Sequence, residues 1–305
     1  MSGLLWLPAR ALLFLTAWAA SFLPREAELR LGCCLGRMIL RSGLFRKGIV
    51  EENMRRCLPE LSQSKRRDLL GLNFEHYGVL FFEYLHLLSP IEGHYREYAR
   101  RWTRVDGLEH WRRAKEKGKG VIVLTSHVGV WELAAAGVGV LGVPLTFVTR
   151  RAKPPWFNRI LENARLSVGG SAAYHPGSMP AILRALRRKE TVGFMMDQYA
   201  PPPMGMRVRF FGVRVDTLAA IAPLALRTGA AIGPAVSRRR HDGPVHIHFE
   251  PELDLGPLLP DTEKATEAMA AVVEGWVREN PVQWLWLHRR FKNVSWPGDT
   301  VPGSA

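Results

Sequence analysis

The residues best placed to do chemistry lie in one short stretch, Val121-Ile-Val-Leu-Thr-Ser-His127-Val-Gly-Val-Trp-Glu132. A histidine followed five positions later by a carboxylate can make a general base and its orienting partner. An alcohol is a poor nucleophile at neutral pH. An imidazole, titrating near 6.5 in water, can take its proton as the new bond forms. Glu132 is the expected partner, accepting the other imidazole N–H, fixing the tautomer and stabilising the imidazolium. Five residues on one helix place two side chains roughly 140° apart. The pair can therefore meet only if His127 sits on a turn before the helix that carries Glu132.

The surrounding pattern supplies that geometry. Val121–Leu124 follows the turn-forming Lys117-Gly-Lys-Gly120 and is short, apolar and rich in β-branched residues, which predicts a buried parallel strand. From Trp131 the small apolar run Leu133-Ala-Ala-Ala136 predicts a packed helix. Strand-to-helix junctions are where open α/β sheets place their ligands. Residues 26–90 are predicted helical. Further strands are expected at 144–149, 191–196 and 230–236, and helices at 156–167, 179–189, 217–228 and 262–279. Alternation through Val245-His-Ile-His-Phe249 predicts a strand exposed on one face, with His246 and His248 turned to solvent. Asp197-Gln198 falls at the end of a strand, placed to brace the site or a bound headgroup. Phe210-Phe211-Gly212 reads as packing under a hairpin or as tunnel lining. Trp284, Trp286, His288 and Arg289-Arg290 suit either a lipid interface or a core-locking segment.

His127-x4-Glu132 after an apolar strand, in the context Ser126-His-Val-Gly-Val-Trp-Glu132, resembles the lipid A late acyltransferases of the lysophospholipid acyltransferase superfamily. Motifs downstream keep the family's order: Arg150, Asn158-Arg159 and Arg165, then Gly193-Phe-Met-Met-Asp197-Gln198, then Val208-Arg-Phe-Phe-Gly212, then Pro281 to Lys292. Val130 departs from the Asn common before the Trp-Glu pair, and Pro154-Pro155 replaces a Lys-Asn-Pro type of sequence. The resemblance implies an α/β, glycerolipid-acyltransferase-like fold with a central, mostly parallel sheet flanked by helices. It also implies transfer of a fatty acyl chain from acyl carrier protein to a hydroxyl of a lipid A precursor, with no cofactor. His127 and Glu132 are then catalytic, and Arg150, Arg159, Arg165, Asp197 and Gln198 bind substrate. Oxyanion donors are expected from backbone N–H groups near Val128 and Gly129 or from Arg165, which can alternatively hold phosphate. Acceptors other than lipid A, such as another glycolipid or a lysophospholipid acylated from acyl-CoA, remain open.

Composition narrows the partners. The 305 residues carry 42 Lys and Arg against 28 Asp and Glu, a formal charge of +14, which points to an acidic partner: phosphorylated lipid, nucleic acid or an acidic protein. No nucleic-acid motif accompanies the charge, so an anionic glycolipid, a membrane surface and acidic carrier protein are the expected partners. A non-catalytic basic protein on anionic membrane is the rival class, and it gives no reason for His127-x4-Glu132. Three cysteines, two of them adjacent, suggest no disulfide framework, and no CxxC or HExxH spacing suggests a metal.

Gly3–Leu23 is almost wholly apolar, interrupted by Pro8 and Arg10. A cleaved signal peptide, a buried helix and a membrane anchor compete for it. Arg25, Arg30, Arg37, Arg41, Arg46 and Lys47 follow and favour an uncleaved anchor at the inner membrane, with the remainder facing the cytoplasm. The expected organisation is an anchor over 1–24, a catalytic domain over 25–293 whose part 25–100 is helical, and a flexible tail over 294–305.

Overall fold

The structure, a computed structural model, describes residues 7–43 and 45–296. Five helices come first: α1 (Leu7–Ala20), α2 (Arg25–Arg41), α3 (Lys47–Cys57), α4 (Gln63–Leu87) and α5 (His94–Trp102). The chain then alternates through β1 (Thr103–Asp106), α6 (Leu108–Glu116), β2 (Val121–Thr125), α7 (Trp131–Val140), β3 (Leu145–Thr149), α8 (Pro155–Ser167), β4 (Gly170–Tyr174), α9 (Met179–Arg187) and β5 (Thr191–Met195). A hairpin, β6 (Gly205–Phe210) and β7 (Val213–Leu218), precedes α10 (Ile221–Thr228), β8 (Ala231–Arg239), β9 (Val245–Phe249) and α11 (Thr262–Glu279).

Seven strands form one sheet in the order β1-β9-β8-β2-β5-β3-β4. The strands from β8 to β4 run parallel to one another, while β9 is antiparallel to β8 and β1 follows β9. Burial on both faces explains why β2 reads as an unbroken apolar run rather than an alternating one. Ile122 and Leu124 enter the core shared with α9, α10 and α11. Val121 and Val123 enter the opposite core with α5, α6 and α7. The α/β class with a mostly parallel sheet is thus present. One boundary differs: residues 217–228 are not a single helix, because Thr217 and Leu218 complete β7 and pair with Met206 and Gly205 before α10 begins.

The helical segment is built against this sheet. At the crossing of α2 and α4 the backbones nearly touch, and a Cβ on Gly78 would lie 1.9 Å from the Gly32 carbonyl oxygen. Only glycine permits that approach. Buried side chains of α3 and α4 then hold the C-terminal segment. Asn73 Nδ2 donates to the carbonyls of Val282 (2.7 Å) and Trp284 (3.0 Å), and Asn53 Nδ2 donates to that of Trp286 (2.8 Å). Trp284 and Trp286 are consequently core residues. These two tryptophans lock the core, while Leu285, Leu287 and His288 are half-buried and Arg289 is exposed. Phe210 and Phe211 stack on these tryptophans and do not line the cavity described below.

The expected N-terminal anchor helix is not found among the described residues. α1 covers 14 described residues, a rise of about 21 Å, and its first residue, Leu7, adjoins residues outside the description. Among the described residues no helix is long and apolar enough to cross a membrane. Residues 1–6 of the expected anchor lie outside the described residues, as do residues 297–305 of the expected tail. The rest of that tail is packed: Val294 and Trp296 lie against the core, with Trp296 5.0 Å from the Phe291 ring.

Candidate active site

Strand register builds the site. β2 and β5 are adjacent and parallel, with Thr125 opposite Met195. Two residues beyond each strand end come His127 and Asp197, so the same register carries both side chains to the C-terminal edge of the sheet. There His127 Nδ1 and Asp197 Oδ1 are 2.9 Å apart, and the His127 backbone N–H donates to Asp197 Oδ2 at 2.9 Å. The Trp284 indole N–H donates to the same Oδ2 at 2.8 Å. The Asp197 side chain is 1% exposed and that of His127 15%. Burial by itself pushes the Asp197 carboxyl up. The charge of His127 and the hydrogen bonds from its ring, from Trp284 and from the His127 N–H outweigh burial and hold Asp197 at about 2. An ionised carboxylate at Nδ1 places the ring proton on Nδ1. The lone pair of Nε2 then points away from Asp197.

Glu132 has a different partner from the one expected of it. The carboxylate receives the guanidinium of Arg165 as a fork, with Nε to Oε1 at 2.7 Å and an Nη to Oε2 at 3.0 Å. Both side chains are nearly buried, and burial is the largest influence on Arg165, opposed and outweighed by Glu132, so its pKa stays raised. The imidazole partner is Asp197, which the sequence places 70 residues away and only strand register brings near. The pair Glu132–Arg165 instead ties the start of α7 to the end of α8, and both residues line the same cavity as His127.

The turn between β2 and α7 also departs from expectation. The Gly129 N–H donates to the Gln283 carbonyl at 2.9 Å, and the Val130 N–H to Ser237 Oγ at 3.1 Å. The Val128 N–H has Ser126 Oγ at 3.4 Å, so both expected backbone donors, Val128 and Gly129, have protein acceptors in this structure, as does Val130. Gly129 has φ +74°, and a Cβ there would lie 2.0 Å from the Ser237 carbonyl oxygen, so glycine is required.

A cavity of about 1230 Å³ opens at this edge. His127, Glu132, Arg150, Arg165 and Gln198 line it, and its walls are otherwise mainly apolar, with Ala134, Ala135, Val138, Leu145 and Ile182 among them. Gln198 Nε2 stands 3.2 Å from His127 Nε2. Arg290, fully buried, donates to the Gln198 carbonyl at 2.9 Å and fixes that backbone. Arg150 is exposed at the end of β3 and reaches the cavity lining. Arg159 does not: it is exposed on α8 and absent from the lining. Trp284 is the site residue that sequence reasoning missed. Its tryptophan-rich segment was visible, but nothing local announces a bond to Asp197.

A mostly parallel α/β sheet thus carries a histidine–carboxylate pair at its C-terminal edge, with the histidine in the lining of a largely apolar cavity, an arrangement that fits an enzyme site. Comparison with known proteins sharpens this. The family described as bacterial lipid A biosynthesis acyltransferase matches residues 4–293, and the chain belongs to that family. It is therefore an enzyme that transfers acyl groups. It is 32% identical over 279 residues to the lipid A biosynthesis lauroyltransferase of Escherichia coli K12, covering 90% of this chain and 88% of that one. It is 27% identical to the palmitoleoyltransferase of the same organism over similar shares. A phosphatidylinositol mannoside acyltransferase of Mycolicibacterium smegmatis is 27% identical over 59% of each chain. Among solved structures, a 1-acyl-sn-glycerophosphate acyltransferase of Thermotoga maritima overlaps 86% of this chain and 99% of its own, at 15% identity and a TM-score of 0.39.

Proposed function

We propose that the protein transfers a fatty acyl chain from an acyl carrier protein thioester to a hydroxyl of a lipid A precursor, with His127 as the general base. The observation that carries this is the His127–Asp197 pair at the mouth of the apolar cavity. Asp197 orients the ring and stabilises the imidazolium, while Nε2 takes the hydroxyl proton. The hydroxyl oxygen attacks the thioester carbonyl, and the tetrahedral intermediate expels a thiolate that recovers the proton from His127. No covalent acyl-enzyme is needed. The alkyl chain occupies the apolar cavity, which is large enough for a chain of drug-like volume or more.

Glu132 acts through Arg165. A nearly buried fork keeps the guanidinium in the lining of the cavity that His127 also lines, where its remaining N–H groups can meet phosphate or polar headgroup oxygens. Arg150 at the cavity lining adds charge for an anionic acceptor. The net charge of +14 favours docking of an acidic carrier. A second acceptor class, another glycolipid, is favoured by the similarity to a phosphatidylinositol mannoside acyltransferase.

The catalytic part works at the cytoplasmic face of the inner membrane. α1 turns Leu7, Leu12, Leu15 and Trp18 outward, and Phe22 follows them, which supplies an apolar surface for membrane contact. The test is mass spectrometry of the lipids of cells with and without the gene. Lipid A species heavier by one acyl chain are expected only with it. An unchanged lipid A profile, with a change confined to another lipid, would reassign the acceptor.

A further inference from the structure

The hydrogen bonds around His127 commit most of the polar groups near it, and Gln198 stands out by what it faces. With the proton of the ring held on Nδ1 by Asp197, Nε2 is an acceptor, so the group 3.2 Å from it must donate. The Gln198 amide NH2 therefore covers the lone pair that a substrate hydroxyl has to reach. The N–H groups of Gly129 and Val130 are taken by Gln283 and Ser237, and the Arg165 guanidinium is oriented by its fork with Glu132. Arg290 pins the Gln198 backbone carbonyl at 2.9 Å, while the half-buried side chain lies along the cavity wall. A fixed Cα with a side chain of three rotatable bonds lets the amide swing a few ångströms without moving the strand end.

We propose that Gln198 is a catalytic residue: its carboxamide caps His127 Nε2 until the acceptor hydroxyl displaces it, and then donates an N–H to the oxygen on which charge develops at the acyl carbon. The proposal rests on the assignment of His127 as the base. In the step itself the hydroxyl O–C bond forms, its proton passes to Nε2, and the carbonyl π pair moves onto the oxygen that the amide receives. Collapse breaks the C–S bond, and the thiolate leaves with the proton. Nothing beyond the thioester and the hydroxyl is consumed. The cap also keeps a stray water from being activated against the thioester before the acceptor arrives.

The experiment is steady-state kinetics of purified Gln198→Ala and Gln198→Glu, with acyl carrier protein thioester and lipid acceptor, across pH. Removing an oxyanion donor should lower kcat by about 10²–10³ with the acceptor KM little changed. Losing the N–H that favours neutral imidazole should also move the acidic limb of the kcat/KM profile to higher pH. Glutamate, nearly isosteric but anionic, should move it further, by about 1–3 pH units. The charged groups around the ring are Asp197 on Nδ1, the Glu132–Arg165 pair in the same cavity lining, and the buried Arg290, which holds the Gln198 carbonyl. His288 is held by burial at about 4 and stays neutral in this range. A purely structural Gln198 would leave the limb in place. Wild-type kcat and an unmoved limb in either folded variant overturn the proposal. His127→Ala in the same assay separates the two levels, because an active His127→Ala overturns the base itself, whereas an inactive one beside an active Gln198→Ala removes only Gln198.

Discussion

Asp197→Asn is the substitution whose consequences follow most directly from the structure. The carboxylate is buried and accepts three hydrogen bonds, from the His127 ring, the His127 backbone and the Trp284 indole. Asparagine keeps the shape but offers one oxygen and one NH2 to three donors. If the amide oxygen faces the backbone N–H and Trp284, its NH2 faces Nδ1 and drives the ring proton onto Nε2, leaving no lone pair for the hydroxyl. The expected loss in kcat is about 10²–10⁴, the range for general-base work. Stability changes too. The folded pKa of Asp197 is lowered from 3.8 to about 2, so its ionised form contributes stability that is fully present above pH 4 and lost as pH falls through about 2. The shift corresponds to on the order of 2 kcal/mol, and the variant should lose about that much at neutral pH while becoming insensitive to acid in this window. Thermal and urea unfolding from pH 2 to 7 reads the second effect, and single-turnover acyl transfer reads the first. A folded Asp197→Asn with more than about a tenth of wild-type rate would refute the tautomer argument.

His127→Ala should retain a native unfolding midpoint within a few degrees and lose about 10²–10⁴ in turnover, measured with the same thioester. Glu132→Ala and Arg165→Ala should each impair turnover, and the double variant should be no worse than the single ones. A double-mutant cycle checks this, and additive losses would mean that the fork does not act as a unit. Ala135→Leu fills part of the cavity and should shift preference toward shorter acyl thioesters in a competition assay, with no shift expected if the chain binds elsewhere. Replacing Leu12, Leu15 and Trp18 with serine should release protein from anionic vesicles in flotation, since these side chains face outward on α1.

Much of the sheet could be read in the sequence because buried parallel strands are short, apolar runs between polar residues. Val121–Thr125 and Thr191–Met195 are cases where the pattern and the strand nearly coincide. His127, Asp197 and Gln198 were all placed at strand ends for the same reason. Their partnership was not legible, because it depends on β2 and β5 being neighbours, and strand order is a tertiary property. Sequence proximity instead favoured Glu132, whose true partner Arg165 lies on another helix. Trp284 could not have been assigned from its own surroundings. Its position is set by Asn73 and Tyr77 of α4, which hold its carbonyl. The N-terminal apolar run suggested a span from composition, and among the described residues it forms α1, which ends at Ala20 before Pro24 and the start of α2 at Arg25.

The most direct test of the account is single-turnover transfer by the purified protein, with acyl carrier protein thioester and a lipid A precursor, followed by mass spectrometry of the lipid. The account predicts a product heavier by one acyl chain from wild-type protein, and almost none from His127→Ala or Asp197→Asn under the same conditions. Equal product from His127→Ala, or no acylated lipid from wild-type protein with either lipid A precursor or another glycolipid, would contradict it.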